Sequence, residues 1–245
     1  MKIVGGTHVG MVRARNEDTF RYGTLEDGTS WAIVCDGMGG VHGGQFASTI
    51  AADMVADKIK KCYTPSMPVS SLENLLLSAV TTANVIVFDR GDVDYNLKGM
   101  GTTIVASIAK DNEACIAHVG DSRAYITDGK EIRQITKDHS LVQEMYDSGK
   151  ITAEEFENHP QKNIITRAMG VAENVEIDFN YICINEDEAL ILCSDGLSGL
   201  VKENRLLEIY NNTDFERLAD EYIKEANKCG GKDNITVVVM KGTGE

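Results

Sequence analysis

The sequence predicts an α+β fold of mostly antiparallel β-sheet with helices packed on its outside. Short apolar runs rich in β-branched residues follow one another with only Gly, Asp and Asn turns between them, so most strands lack the crossover helix a parallel pair needs. Two long segments of helical periodicity are consecutive and lie between strands instead of alternating with them. No repeat, proline-rich linker or low-complexity tract divides the 245 residues, and one domain over 1–245 is expected.

In chain order, 31–35 is a fully apolar strand. A helix follows Gly43-Gly44, with Phe46, Ile50, Met54 and Val55 as its apolar stripe. The next runs through Leu72, Leu75, Leu76, Ala79, Val80, Ala83 and Val87, opened by Ser70 and Glu73 as a capping box. Strands at 102–109, 114–119 and 124–127 are separated by Asp-Asn and Gly-Asp-Ser breaks that predict hairpins, and Asp128-Gly129 turns the chain into 131–135. Later strands are 175–184, 189–193 and 235–240. A third helix carries Leu218, Tyr222, Ile223 and Ala226, opened by Thr213 with Glu216 and stopped by Gly230-Gly231. Residues 138–170 are polar, hold two short helical pieces (141–147 and 153–157) and break at His159-Pro160, which reads as a flap. His139 and His159 within it read as local hydrogen-bonding or surface residues.

Composition narrows the chemistry. A 42% hydrophobic, 25% charged chain has the apolar content of a packed globular protein. Its net charge of −14 repels a nucleic-acid backbone, so neither DNA nor RNA is expected as a partner. The start has no basic segment followed by an apolar run, and no stretch is read as approaching the roughly 18 apolar residues of a membrane span. The cytoplasm and a monomer are the defaults. None of the six cysteines is paired as CxxC, and Cys35, Cys115, Cys183 and Cys193 lie in strand-like runs, where free buried thiols are expected.

Four aspartates share one setting. Asp36 follows the strand 31–35, Asp121 follows 114–119, Asp195 follows 189–193, and Asp233 precedes 235–240. Each stands where a buried strand meets a loop. Convergent carboxylates raise one another's pKa unless a cation neutralises them. With no His or Cys beside them, an oxygen-only ligand set suits Mg²⁺ or Mn²⁺. The segment 10–18 adds Arg13, Arg15, Glu17 and Asp18.

These motifs, in order, resemble those of bacterial PP2C (PPM-type) protein phosphatases: VRARNED (12–18), DGMGG (36–40), MGTT (100–103), GDSR (120–123), DHS (138–140), TRAMG (166–170), SDGL (194–197) and KDNITVVV (232–239). The resemblance implies an α-β-β-α sandwich and hydrolysis of phosphoserine and phosphothreonine by a metal-activated water, without a phosphoenzyme. It implies two divalent cations, Mn²⁺ or Mg²⁺, bridged by Asp36, with Gly37 lending its carbonyl and Asp195 and Asp233 completing the protein ligands. Glu17 and Asp18 act through water, Asp121 with Asp195 holds a weaker third cation, and Arg13 grips the phosphate. Relatives commonly place a histidine after the DGMGG glycines. Here Val41 stands there, and His42 is the candidate for protonating the leaving alkoxide. The partners implied are phosphoproteins, including those of a cognate bacterial Ser/Thr kinase and the kinase itself. A non-catalytic binding module and a phosphatase dedicated to one regulatory phosphoprotein are the alternatives, and the complete aspartate set argues against the first.

Overall fold

The computed structural model describes residues 1–39 and 43–243. Its strands are β1 (Lys2–His8), β2 (Thr19–Thr24), β3 (Ser30–Cys35), β4 (Gly37–Met38), β5 (Gly101–Thr102), β6 (Ile104–Lys110), β7 (Glu113–Val119), β8 (Arg123–Thr127), β9 (Ile132–Gln134), β10 (Asp178–Cys183), β11 (Ala189–Cys193) and β12 (Ile235–Lys241). The helices are α1 (Gly43–Cys62), α2 (Leu72–Val93), α3 (Leu141–Asp147), α4 (Ala153–Glu157), α5 (Asp195–Ser198), α6 (Glu203–Asn212) and α7 (Leu218–Lys228). Two five-stranded sheets, ordered β1-β12-β11-β8-β9 and β10-β7-β6-β3-β2, carry the core, and every pairing in them is antiparallel.

Alternation along the strands sorts side chains into three apolar layers. Trp31, Ile33 and Cys35 of β3 face α1 and α2, as do Ile104, Ala106 and Ile108 of β6. Ala32 and Val34 point the other way and meet Leu190, Leu192 and Val238 between the sheets. Ile191, Cys193, Val237 and Val239 face α6 and α7, against Leu206, Tyr222 and Ala226. The result is the expected α-β-β-α sandwich. Because helices cover both outer faces, the central strands are apolar on both sides and read as unbroken runs.

Several expectations are corrected. The Gly-Asp-Ser break is no hairpin: β7 and β8 belong to different sheets, and the segment crosses between them. The buried face of α1 is its alanine side, Ala47, Ala51, Ala52, Val55, Ala56 and Ile59, whereas Phe46 is 54% exposed. Small residues let α1 lie close to α2, so bulk misled the choice of stripe. Ser70 caps nothing, because a 3₁₀ turn (Val69–Ser71) precedes α2, and Glu73 instead accepts the Tyr181 hydroxyl. Thr213 likewise gives way to a 3₁₀ turn (Phe215–Arg217) before α7. Strands β1 and β2 and helix α6 were not expected, and β10 starts at Asp178, not 175. Cys183 lies exposed on the edge strand β10, while Cys35, Cys115 and Cys193 are buried free thiols. The segment Val69–Val93 is long and apolar enough, by length and composition, to cross a membrane. Its Leu72, Leu75, Leu76, Ala79, Val80, Ala83 and Val87 are packed into the core against α1 and the sheet, while Leu77, Val85 and Val93 are exposed.

The alanine seam predicts opposite outcomes for two substitutions on one helix. Ala52→Leu is expected to cost about 1–3 kcal/mol by overpacking, and Phe46→Ala to stay within about 0.5 kcal/mol. Urea unfolding of the two variants measures the difference, and the reverse order would contradict the helix phase.

Candidate active site

The aspartates sit at one end of the sandwich, where strand ends fix their backbones. Asp36 leaves β3 with its N–H on Thr103 Oγ1 (3.0 Å), while its carbonyl accepts from Thr102 Oγ1 and Thr103 N, each at 2.9 Å. Thr103 Oγ1 also meets Ser122 Oγ (2.7 Å), which ties the Asp36 turn to the crossing loop that carries Asp121. Asp195 opens α5, and Asp233 precedes β12. Gly37 is required by close approach: a Cβ there would lie 2.1 Å from the Gly44 carbonyl oxygen and 2.5 Å from that of Glu17.

Asn234 joins the first segment of the chain to the last. Its Nδ2 donates to the carbonyls of Val9 (2.9 Å) and Arg15 (2.8 Å), and its Oδ1 accepts the Glu17 N–H (2.8 Å). Asp18 is thereby delivered into the sandwich, where its Oδ2 accepts from Ser194 Oγ (2.7 Å) and Thr236 Oγ1 (2.6 Å). Its Oδ1 is buried without a partner, and so is Asp195 Oδ1.

Electrostatics show how strained this gathering is. Burial pushes the Asp36 carboxyl well above its ordinary value, and Asp18, Asp195, Asp121 and Asp233 push it further. Asp18 is raised by burial against the pull of its two hydroxyl donors. Asp121 is raised by burial and by Asp195, and Asp195 by burial and by Asp233, eased by a hydrogen bond with Asp36. Arg13 stands at the rim, its Nη2 2.7 Å from Asp233 Oδ2, a hydrogen bond that raises the guanidinium pKa. Among the described residues, no three His, Cys, Asp or Glu side chains are drawn as close as a bound metal would hold them.

The donor set nevertheless fits divalent cations. Orphaned carboxylate oxygens, an all-oxygen environment and mutual repulsion are all relieved by one or more hard ions. The structure thus brings together Arg13, Asp18, Asp36, Gly37, Asp121, Asp195 and Asp233, with the Glu17 backbone beside them. His42 lies outside the described residues. Ser194, Thr236, Thr103, Ser122 and Asn234 were missed as supporting residues; the polar Thr236 within the apolar 235–240 run was the available signal.

A sequence profile described as protein phosphatase 2C matches residues 6–239. The chain belongs to this family. It is 38% identical over 238 residues to the serine/threonine phosphatase stp of Listeria monocytogenes, covering 96% of this chain and 93% of that one. It is 35% identical over 237 residues to protein phosphatase PhpP of Streptococcus pneumoniae, covering 96% and 94%. The crystal structure of the serine/threonine phosphatase Stp1 from Staphylococcus aureus superposes with a TM-score of 0.93 at 32% identity, over 99% of this chain and 95% of that one. Membership in the PP2C family makes the chain a protein phosphatase of a metal-dependent class.

The raised carboxyls set a pH dependence whose sign is fixed. Each binds its proton more tightly when folded than when unfolded, so stability is lost as pH rises. In chelator, Tm is expected to fall as pH climbs from the ordinary 3.8 through about 7 for Asp18 and about 8 for Asp121. Millimolar Mn²⁺ should flatten that fall. Differential scanning calorimetry measures both curves, and a Tm that rises across this window in chelator would contradict the assignment.

Proposed function

We propose that the aspartate cluster holds the two divalent cations of a serine/threonine protein phosphatase, with Asp36 shared between them and Asp195, Asp233 and the Gly37 carbonyl completing the protein ligands. Two unpartnered buried oxygens, on Asp18 and Asp195, carry this reading, since a native site keeps such atoms for a ligand. Asp121 with Asp195 offers a weaker third position, and Glu17 and Asp18 act through water. The oxygen donors accept Mn²⁺ or Mg²⁺ alike.

Cations held there supply the charge that makes hydroxide available at neutral pH and offset the charge growing on the phosphoryl oxygens. The chain's own contribution is positioning. Arg13, already oriented over the cluster by Asp233, reaches the phosphate with a planar fork of donors. Asp18, aimed by Ser194 and Thr236, accepts a hydrogen bond from water and orients it. Cys35 and Cys193, the cysteines beside Asp36 and Asp195 in sequence, are buried, and burial pushes both thiols above the ordinary value, so neither is poised as a nucleophile. His42 remains the proposed donor to the leaving alkoxide.

Substrates are proteins phosphorylated on serine or threonine. Those of a cognate bacterial Ser/Thr kinase, and that kinase, are the proposed partners of a monomeric, one-domain, cytoplasmic enzyme. Six free cysteines suit a reducing compartment.

Phosphate release from a phosphothreonine peptide is expected to require Mn²⁺ and to stop in chelator. Asp195→Asn and Arg13→Ala should each lower kcat/KM by about 10²-fold or more, with partial recovery in Arg13→Lys. Chelator-resistant turnover, or an active Asp195→Asn variant that binds Mn²⁺ normally, would overturn the proposal.

A further inference from the structure

The loop that carries Asp121 is gripped from the flap side by one side chain. Gly120, at φ +109°, has no room for a Cβ, which would lie 2.5 Å from Thr103 Cγ2. On its other side both of its backbone polar groups go to His139: the Gly120 carbonyl accepts the His139 N–H (2.8 Å), and the Gly120 N–H donates to His139 Nδ1 (3.0 Å). A ring nitrogen that accepts an N–H carries no proton, so the proton of this imidazole is on Nε2. Nε2 lies 3.2 Å from Asp178 Oδ2, its acceptor. Arg167 fixes that acceptor, with Nη1 2.7 Å from Asp178 Oδ1 and Nη2 3.0 Å from Glu176 Oε2. The 3.0 Å approach of Arg167 Nη1 to His139 Nε2 is then two donors converging on one carboxylate.

The surroundings favour the neutral ring. His118 packs against it, the rings tilted by 34° with centroids 4.6 Å apart. His118 is buried and burial drops its pKa to about 3, so it serves as an uncharged floor. Burial also lowers His139, opposed by the Asp178 hydrogen bond. The His139 carbonyl accepts the Thr166 N–H (2.8 Å), so both roots of the flap meet at this residue. Arg123, bidentate on Asp138 through Nε (2.9 Å) and Nη2 (2.7 Å), anchors the neighbouring position.

We propose that His139 is a positioning residue that sets the Asp121 loop against the flap, its Nδ1 holding the Gly120 N–H and its Nε2–H held by Asp178. As regards cation binding, this rests on the reading of Asp121 as a third-cation ligand. The bridge passes through no metal, and it gives the flap a direct mechanical line to that ligand. The imidazole suits the bridge because its Nδ1 accepts close to the backbone while its Nε2, one atom further out, donates to Asp178.

The two ends can be separated chemically. The amide oxygen of Asn can stand in for Nδ1, and the amide of Gln reaches the place of Nε2. In His139→Asn, the Gly120 amide should keep its slow hydrogen exchange, and Mn²⁺ titration should show an unchanged third affinity. In His139→Gln, Gly120 should exchange faster, and the third affinity should weaken by about 10- to 100-fold while the two tighter sites hold. Identical Gly120 exchange in the two variants would overturn the proposal. If both fail to fold, imidazole ¹H–¹⁵N correlation on the unmodified protein decides: a proton on Nδ1 of His139 at neutral pH would overturn it, and a proton on Nε2 supports it. Asp121→Asn separates the two layers. If it leaves every Mn²⁺ affinity unchanged, the third-cation reading fails, while the exchange and tautomer measurements still judge His139.

Discussion

Crowding of like charge is the constraint on which this molecule is organised. Asp18, Asp36, Asp121 and Asp195 meet beside Asp233 at one end of the sandwich, and burial and like charge together oppose the ionisation of those four. Unconstrained chain would relieve that repulsion by moving apart. It does not, because each carboxylate is attached to a strand end or a short loop whose backbone is already committed elsewhere. The long apolar strands contribute to function by being unable to yield.

What converts rigidity into position is a small set of neutral hydrogen-bonding groups. Thr103 serves Asp36 and Ser122 together, so two loops from different sheets share one hydroxyl. Ser194, just beyond β11, and Thr236, on the neighbouring β12, aim the same oxygen of Asp18. Neutral donors stabilise a carboxylate without competing for a cation as a lysine or arginine would. Arg13 sits at the rim on Asp233, its side chain 53% exposed.

The sequence was informative wherever burial was extreme. The strands at 31–35, 189–193 and 235–240 were legible because both faces are apolar, and α3 and α4 because polar helical periodicity stood out within the flap. Edge strands β1 and β2 were not, since glycines and alternately exposed residues leave no continuous run. In α1 the largest apolar residues suggested a stripe, but helix–helix closeness selected alanines, and Phe46 was left outside. Capping boxes at Ser70 and Thr213 failed because 3₁₀ turns took up the first backbone groups. The aspartates were legible because each sits where an apolar run stops. The hydroxyls that aim them were not, because a serine or threonine in a strand carries no sign of which carboxylate, more than a hundred residues away, it will meet. Asp18 finds Thr236 across 218 positions of sequence.

Asn234 gives that separation a temporal meaning. It binds the carbonyls of Val9 and Arg15 and the amide of Glu17, while β1 pairs along its whole length with β12. Closure therefore joins β1 to β12, with Asn234 reaching Val9 across 225 positions of sequence, and contacts of such long range form late and slowly. On the ribosome, β3, β6 and β7 can assemble beneath α1 and α2 while Asp233 and Asn234 are still unsynthesised. The nascent chain therefore lacks Asp233 and Asn234, two of the groups that close the cluster, until synthesis reaches β12.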